Sequence, residues 1–305
     1  MSGATLVLVS YLLLAIFAVA FVYRSLSIAR MPVHLRWELA PVPHEKGKGH
    51  YGGSYLEEPE WWSKPREKDH LAEMTYMVKE IAFLKALFEH NRKLWWFSFP
   101  FHAGLYLLTG MVGLLLISGL AGLAGLTMPG FVNTLIRVLA ATGYLLGGLG
   151  ALGVLLSRLF QPQLRSIATP LTFLNLFILL AFFITGAWAV FTLPAFVNGL
   201  NGFLGALFSA NLEVQFPAIL TAHLFLAGLF LAYLPFTPMM HFVAKYFTYH
   251  EIRWNDDPLV PGSKTDLEIQ ELLQQPVTWA GPHLHADGKK NWVDIVTDTP
   301  KKEAE

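Results

Sequence analysis

Two histidines lie inside a long apolar run near the end of the chain. Residues 216–242 carry no Asp, Glu, Lys or Arg, and His223 and His241 fall within them. Their spacing of 18 residues equals five turns of a continuous α-helix, which predicts imidazoles on one side, about 27 Å apart along the axis. One would then lie near each face of a bilayer. Ionisable residues at this depth usually serve a function, and imidazole is a common ligand of haem iron.

A haem with two axial ligands needs a second imidazole from another helix. His102 is the only histidine in the first four apolar segments, and His90 precedes it by 12 residues. If one helix carries both, chain direction pairs His90 with His241 near the cytoplasm and His102 with His223 nearer the outside. We therefore expect four axial ligands of haem iron. The alternative stays open that each histidine only bonds a neighbouring helix, and that His90 is an ordinary interfacial residue.

The chain contains no cysteine, which excludes several kinds of redox centre. It cannot hold an iron–sulfur cluster ligated by thiolates, a zinc site built from cysteines, or a disulfide. Covalent attachment of haem through thiols is excluded as well, so any haem is b-type. Onward transfer of electrons to a soluble catalytic site would require another subunit.

The composition is that of an integral membrane protein. Hydrophobic residues make up 54% of the chain and charged residues 14%, whereas a soluble domain carries about a quarter charged residues. Between residues 94 and 242 the only charged side chains are Arg137, Arg158, Arg165 and Glu213. The net charge is zero and no basic tract is interleaved with aromatics, so we expect lipid and no nucleic acid as a partner.

Five apolar segments are long enough to cross a bilayer, which predicts an all-α membrane bundle of five helices. Basic residues follow the first segment and flank the others on one side only, which places the N-terminus outside and the C-terminus in the cytoplasm. The segments cover residues 4–23, 94–119, 132–156, 171–193 and 216–242. Residues 194–215 are expected to form an outer loop.

The pattern divides the chain into four parts. A first transmembrane helix (1–24) precedes a cytoplasmic loop (25–93). This loop ends in an amphipathic helix at about 69–90 that lies in the interface, against a partner or on its own loop. A transmembrane core of four helices that bind haem (94–242) is followed by a cytoplasmic tail (243–305). We expect the tail to be extended, with one short helix at about 263–275.

The chain resembles the gamma subunit of respiratory nitrate reductase and the related membrane subunits of heterodisulfide-reductase-like and sulfate-reducer transmembrane redox complexes. The resemblance rests on His223, the LPFT sequence at 234–237 and HFVAKYFTYHEIRW from His241, supported by WWFSFPFH ending at His102. It covers roughly residues 70–258. It implies a cytochrome b with two haems, in which His223 and His241 serve different haems. The nitrate reductase pattern spaces the two histidines of helix two ten residues apart, whereas here they are twelve apart, so a single haem remains the alternative.

The resemblance also implies exchange of electrons between membrane quinone and a cytoplasmic iron–sulfur subunit, either nitrate-reductase-beta-like or heterodisulfide-reductase-like. Arg158 and Arg165 are candidate partners for the propionates of an inner haem, because guanidinium pairs carboxylates. Arg137 could serve an outer haem or polarise a quinone carbonyl, and Glu213 could relay a quinol proton. The expected location is the cytoplasmic membrane of a prokaryote. Two rival functions are a haem-free membrane anchor and a transporter with His102 and His223 as a proton relay.

Overall fold

The structure is a computed structural model that describes residues 1–31, 42–254, 260–281, 283 and 285–298. It is built almost wholly from helices, with one antiparallel pair of two-residue strands near the C-terminus. In chain order the elements are α1 (Gly3–Ala29), α2 (His70–Ala82), α3 (Lys85–His90), α4 (Arg92–Leu123), α5 (Gly130–Phe160), α6 (Pro162–Ser166), α7 (Pro170–Thr192), α8 (Phe196–Ser209), α9 (Ala218–Tyr233), α10 (His241–Phe247), α11 (Lys264–Leu273), β1 (Ala280–Gly281), β2 (Ala286–Asp287) and α12 (Trp292–Thr297).

Five helices within the described ranges are long and apolar enough to cross a membrane. The predicted all-α membrane bundle of five spanning helices is thereby confirmed, and the chain is a multi-pass membrane protein. The spans are Gly3–Ala29, Arg92–Leu123, Gly130–Phe160, Pro170–Thr192 and Ala218–Phe236.

Local sequence sets where the spans begin. The side chain of Asn91 accepts a hydrogen bond from the Leu94 amide and so caps α4. Thr169 and Thr172 form a reciprocal capping box at the start of α7, and Pro170 occupies its first turn. These caps satisfy amides that have no partner inside the helix.

The stripe of glycines on α5 admits neighbouring helices. Gly143, Gly147, Gly150 and Gly153 are buried, and a Cβ at each would clash with another part of the chain. At Gly150 the obstacle is backbone of α4, and at Gly147 it is the ring of Phe183 on α7. The small residues of this stripe thus serve close packing of helices.

The helix that was expected to carry both His223 and His241 is broken between them. Helix α9 ends at Tyr233 and two 3₁₀ turns follow, Leu234–Phe236 and Pro238–Met240, before α10 begins at His241. Prolines at 235 and 238 lack the amide hydrogen that a continuous helix would use. The prediction of five uninterrupted turns was therefore wrong. The axial separation calculated for His223 and His241 assumed a continuous helix and no longer holds.

The segment before α4 is broken as well. Helix α2 ends at Ala82, Leu84 adopts a left-handed conformation, and α3 ends at His90. Asn91 (φ −146°, ψ 73°) then separates α3 from α4, so His90 and His102 are not on one helix. The apolar stripe of α2 (Leu71, Met74, Val78 and Ile81) is exposed, as expected for a helix that covers lipid or a partner.

The connection between α7 and α9 contains the apolar helix α8, which is too short to cross a bilayer and buries Phe196, Val197 and Leu200. The expectation of an extended tail was wrong. The tail is not extended, because α12 follows the strand pair, and Val277, Ala286 and Ile295 form a small core there. Helix α11, capped by Ser263, lies where one short helix was expected.

The chain divides into two compact units. Unit 1 comprises Met1–Arg24 and Met74–His241, and holds the packed spans with the main core around Leu108, Ile136 and Phe183. Unit 2 comprises Ser25–Glu73 and Phe242–Glu305. Within unit 2, His250 Nε2 lies 2.7 Å from the Glu73 carboxylate.

Candidate functional site

The structure brings His102 and His241 together. Their ring centroids lie 6.2 Å apart with the ring planes at 73°. His102 projects from α4 about three turns after its start, and His241 is the first residue of α10. We expected His102 to pair with His223, and His90 with His241. That expectation assumed one continuous helix through His90 and His102 and another through His223 and His241, and the structure breaks both.

Hydrogen bonds to main-chain carbonyls fix the tautomer of both rings. The Nδ1–H of His102 donates to the carbonyl of Ser98 at 2.7 Å, and that of His241 donates to the carbonyl of Pro238 at 3.1 Å. A carbonyl only accepts, so Nδ1 carries the proton and Nε2 carries the lone pair in each neutral imidazole. This is the arrangement that histidine ligands of metals use to orient the ring and raise its basicity.

The spacing of the two rings suits one metal ion between them. Two imidazoles that bind a metal from opposite sides at about 2.0 Å place their centroids about 6 Å apart. His102 is partly exposed and His241 is exposed on the bundle surface, so a flat ligand could reach both from the side. The residues present therefore fit a haem with two axial histidines.

The described residues contain no metal site built from three or more side chains. In the ranges that the structure describes, no group of three or more His, Cys, Asp or Glu residues could hold a metal ion. A haem differs from such a site because its porphyrin supplies four ligands and the protein supplies only the axial pair. Two histidines are sufficient for that role.

His90 lies apart from this pair. It ends the short helix α3 and is exposed. No ring contact connects it to another histidine in the described part of the chain. The structure therefore gives no support to His90 as the partner of His241.

His223 is buried in a different environment, with 2% of its surface exposed. Its Nε2 lies 2.7 Å from the hydroxyl of Tyr144 on α5, and its Nδ1 lies 3.2 Å from the hydroxyl of Thr185 on α7. The ring of Phe182 stacks on it at 5.2 Å. Sequence reasoning missed Tyr144 and Thr185, whose only signal was a hydroxyl group in an apolar span.

Arg158 and Arg165 lie at the same end of the bundle as His102. Arg158 is in the last turn of α5 and partly exposed, and Arg165 is in the last turn of α6 and exposed. Contacts of Phe97 and Phe101 with Gly153 and Gly150 place this end of α5 beside the first turns of α4. Both guanidinium groups thus belong to the end of the bundle that carries the histidine pair.

Arg137 and Glu213 lie toward the opposite end. The guanidinium of Arg137 donates to the carbonyls of Val190 and Pro194, each at 2.8 Å, and so caps the C-terminal end of α7. Glu213 is exposed and precedes Val214, which helps to line an apolar groove of about 430 Å³ between α8 and the start of α9.

The family model described as nitrate reductase gamma subunit matches residues 85–255. No curated protein and no solved structure matches the chain. The match includes His90, His102, His223 and His241, and it confirms the resemblance drawn from the sequences around the last three.

Proposed function

Because the chain belongs to the nitrate reductase gamma subunit family, we propose that it is the membrane cytochrome b subunit of a respiratory redox complex. In this proposal haem b is held between His102 and His241. The subunit exchanges electrons between membrane quinone and an iron–sulfur partner subunit that works with a catalytic subunit. The observation that carries the proposal is the pair of imidazoles 6.2 Å apart, each with Nδ1–H bound to a main-chain carbonyl.

The proposal assigns a role to each residue of the site. The Nε2 atoms of His102 and His241 would bind the haem iron, and the carbonyls of Ser98 and Pro238 hold the two rings in the tautomer that this needs. Arg158 and the more exposed Arg165 would offset the negative charge of the haem propionates. The haem supplies reversible transfer of one electron when bound.

The partner must supply what this chain lacks. With no cysteine in the chain, the iron–sulfur centres that accept or deliver electrons reside on another subunit. In the proposed topology, the N-terminus lies outside the cytoplasmic membrane of a prokaryote and the partner docks on the cytoplasmic side. The exposed apolar stripe of α2 lies near that side and would cover lipid headgroups or the partner.

Arg137 and Glu213 have weaker roles in the proposal. The guanidinium of Arg137 donates hydrogen bonds to two carbonyls, and these bonds explain a charged residue at this position without a quinone. Glu213 is exposed beside the groove at the opposite end. It remains a candidate for the proton of a quinol, although the histidine pair lies at the other end of the bundle.

The test is reduction of the purified, detergent-solubilised chain by a quinol. An oxidised sample should show a b-type Soret band, and addition of menadiol should produce the α-band of reduced haem b. A protein that purifies folded without haem would instead be a membrane anchor or a transporter. A protein that contains haem, accepts electrons from dithionite and does not react with any quinol would contradict the quinone part of the proposal.

A further inference from the structure

We infer that this chain holds one haem rather than two, because its own side chains fill the place beside His223 where a second haem would bind. The inference rests on the proposed function for the first haem. It departs from the two-haem arrangement that the family resemblance implies. The residues around His223 do not fit the second group.

The nitrogen of His223 that would bind iron is already in use. The hydroxyl of Thr185 donates to the carbonyl of Ala181 at 2.8 Å, so it accepts the Nδ1–H of His223. This leaves the lone pair on Nε2, and the Tyr144 hydroxyl donates to it at 2.7 Å. An iron atom would lie about 2.0 Å from Nε2 along the same direction, so the tyrosine oxygen occupies the metal position.

Tyr144 has no room to withdraw. Its side chain is 2% exposed, and its ring lies against Gly186 of α7 so closely that a Cβ there would be 2.3 Å from Cε1 of the tyrosine. The glycine of α7 that could have admitted a porphyrin thus receives the ring of Tyr144. Moving a buried ring away from such a contact would create a cavity and leave the Tyr144 hydroxyl without its partner.

The plane beside the imidazole is also filled. Phe182 stacks on His223 with an interplanar angle of 27° and continues to Phe230, where the centroids are 5.6 Å apart and the planes meet at 26°. These rings form a continuous aromatic layer between α7 and α9. A porphyrin bound to His223 would have to displace at least one of them.

A second axial histidine is missing as well. Between residues 94 and 233 the sequence contains only His102 and His223, and the ring of His102 lies beside His241. His223, Tyr144 and Thr185 instead connect α9, α5 and α7 through hydrogen bonds inside the bundle.

The test is the amount of haem per chain in purified wild-type protein, measured as pyridine haemochrome against protein from amino-acid analysis. The expected ratio is one, with a redox titration that follows a single one-electron component. A ratio of two with two components would overturn the inference. A chain free of haem would overturn the proposed function itself, so the two failures are distinguishable.

Variants locate the haem. His223→Gln keeps an amide that can bond Tyr144 and removes the imidazole, and we expect its haem content and α-band to be unchanged. His241→Gln is the matched variant and should lose the haem. A folded, monodisperse His223→Gln protein with less haem than wild type would contradict the inference. If that variant does not accumulate, His223→Asn replaces it, and a folded protein with less haem than wild type would contradict the inference equally.

Discussion

A Cβ built on Gly150 would lie 2.3 Å from the amide nitrogen of Phe101, the residue before His102. Helices α4 and α5 therefore touch backbone to backbone next to the proposed haem ligand. Neither backbone can move aside as a flexible side chain would, so the position of His102 depends on a residue without a side chain at 150. This contact connects the packing of the bundle to the geometry of the site.

Gly150→Ala should separate α4 from α5 and lower both stability and haem content. Overpacking of this kind costs about 1–3 kcal/mol, and here the obstacle is main chain. Thermal unfolding in detergent and the ratio of Soret to protein absorbance measure the two effects. Gly110→Ala is the matched control, because a Cβ at Gly110 meets nothing within 4 Å. Equal behaviour of the two variants would show that the contact does not position α4.

Arg137→Gln should destabilise the bundle and leave reaction with quinol intact. It removes two charge-assisted hydrogen bonds to the end of α7, each worth about 1.5–3 kcal/mol. Arg137→Lys should recover only part of the loss, because an ammonium group lacks the planar fork that reaches both carbonyls. Thermal unfolding and the rate of haem reduction by menadiol are the measurements. Loss of the rate at unchanged stability would instead favour a contact with quinone.

Arg158→Gln should make the haem harder to reduce. Reduction adds a negative charge to the haem, so removing a nearby positive charge destabilises the reduced state relative to the oxidised one. A partly screened interaction of about 0.7 kcal/mol corresponds to about 30 mV for one electron. Potentiometric titration of the α-band should show a lower midpoint potential. Arg165→Gln should shift it less, since Arg165 is more exposed. An unchanged potential in both variants would exclude them as propionate partners.

The proposed topology can be tested with single cysteines, because the native chain contains none. Ser166 and Ser209 are exposed near opposite ends of the bundle. A membrane-impermeant maleimide added to intact spheroplasts should label Ser209→Cys, and should label Ser166→Cys only after permeabilisation. The reverse pattern would place the N-terminus in the cytoplasm.

The sequence predicted the parts of the fold that depend on apolar length. Five apolar segments gave the spans, and the short helix expected at about 263–275 corresponds to α11. It also located His102, His223 and His241 in a matching family segment. Helix breaks were harder, because Pro235, Pro238 and Asn91 can each kink, end or cap a helix, and tertiary packing decides which.

The pairing of histidines could not be read from spacing. Depth calculated at 1.5 Å per residue assumes a continuous helix, and the break at residues 234–240 removes that assumption. The partners of His223 were equally hidden, since Tyr144 and Thr185 come from two other helices and meet only after packing. A hydroxyl in an apolar span indicates a hydrogen bond without indicating its partner.

The most direct measurement of the central claim is the reduced-minus-oxidised absorbance spectrum of three single variants beside wild type. We expect His102→Gln and His241→Gln to lose the b-type α-band, since each removes one of two imidazoles that bind the same iron. His90→Gln should retain the band at wild-type intensity. A full band in either of the first two variants, or its loss in the third, would contradict the assignment of haem to His102 and His241.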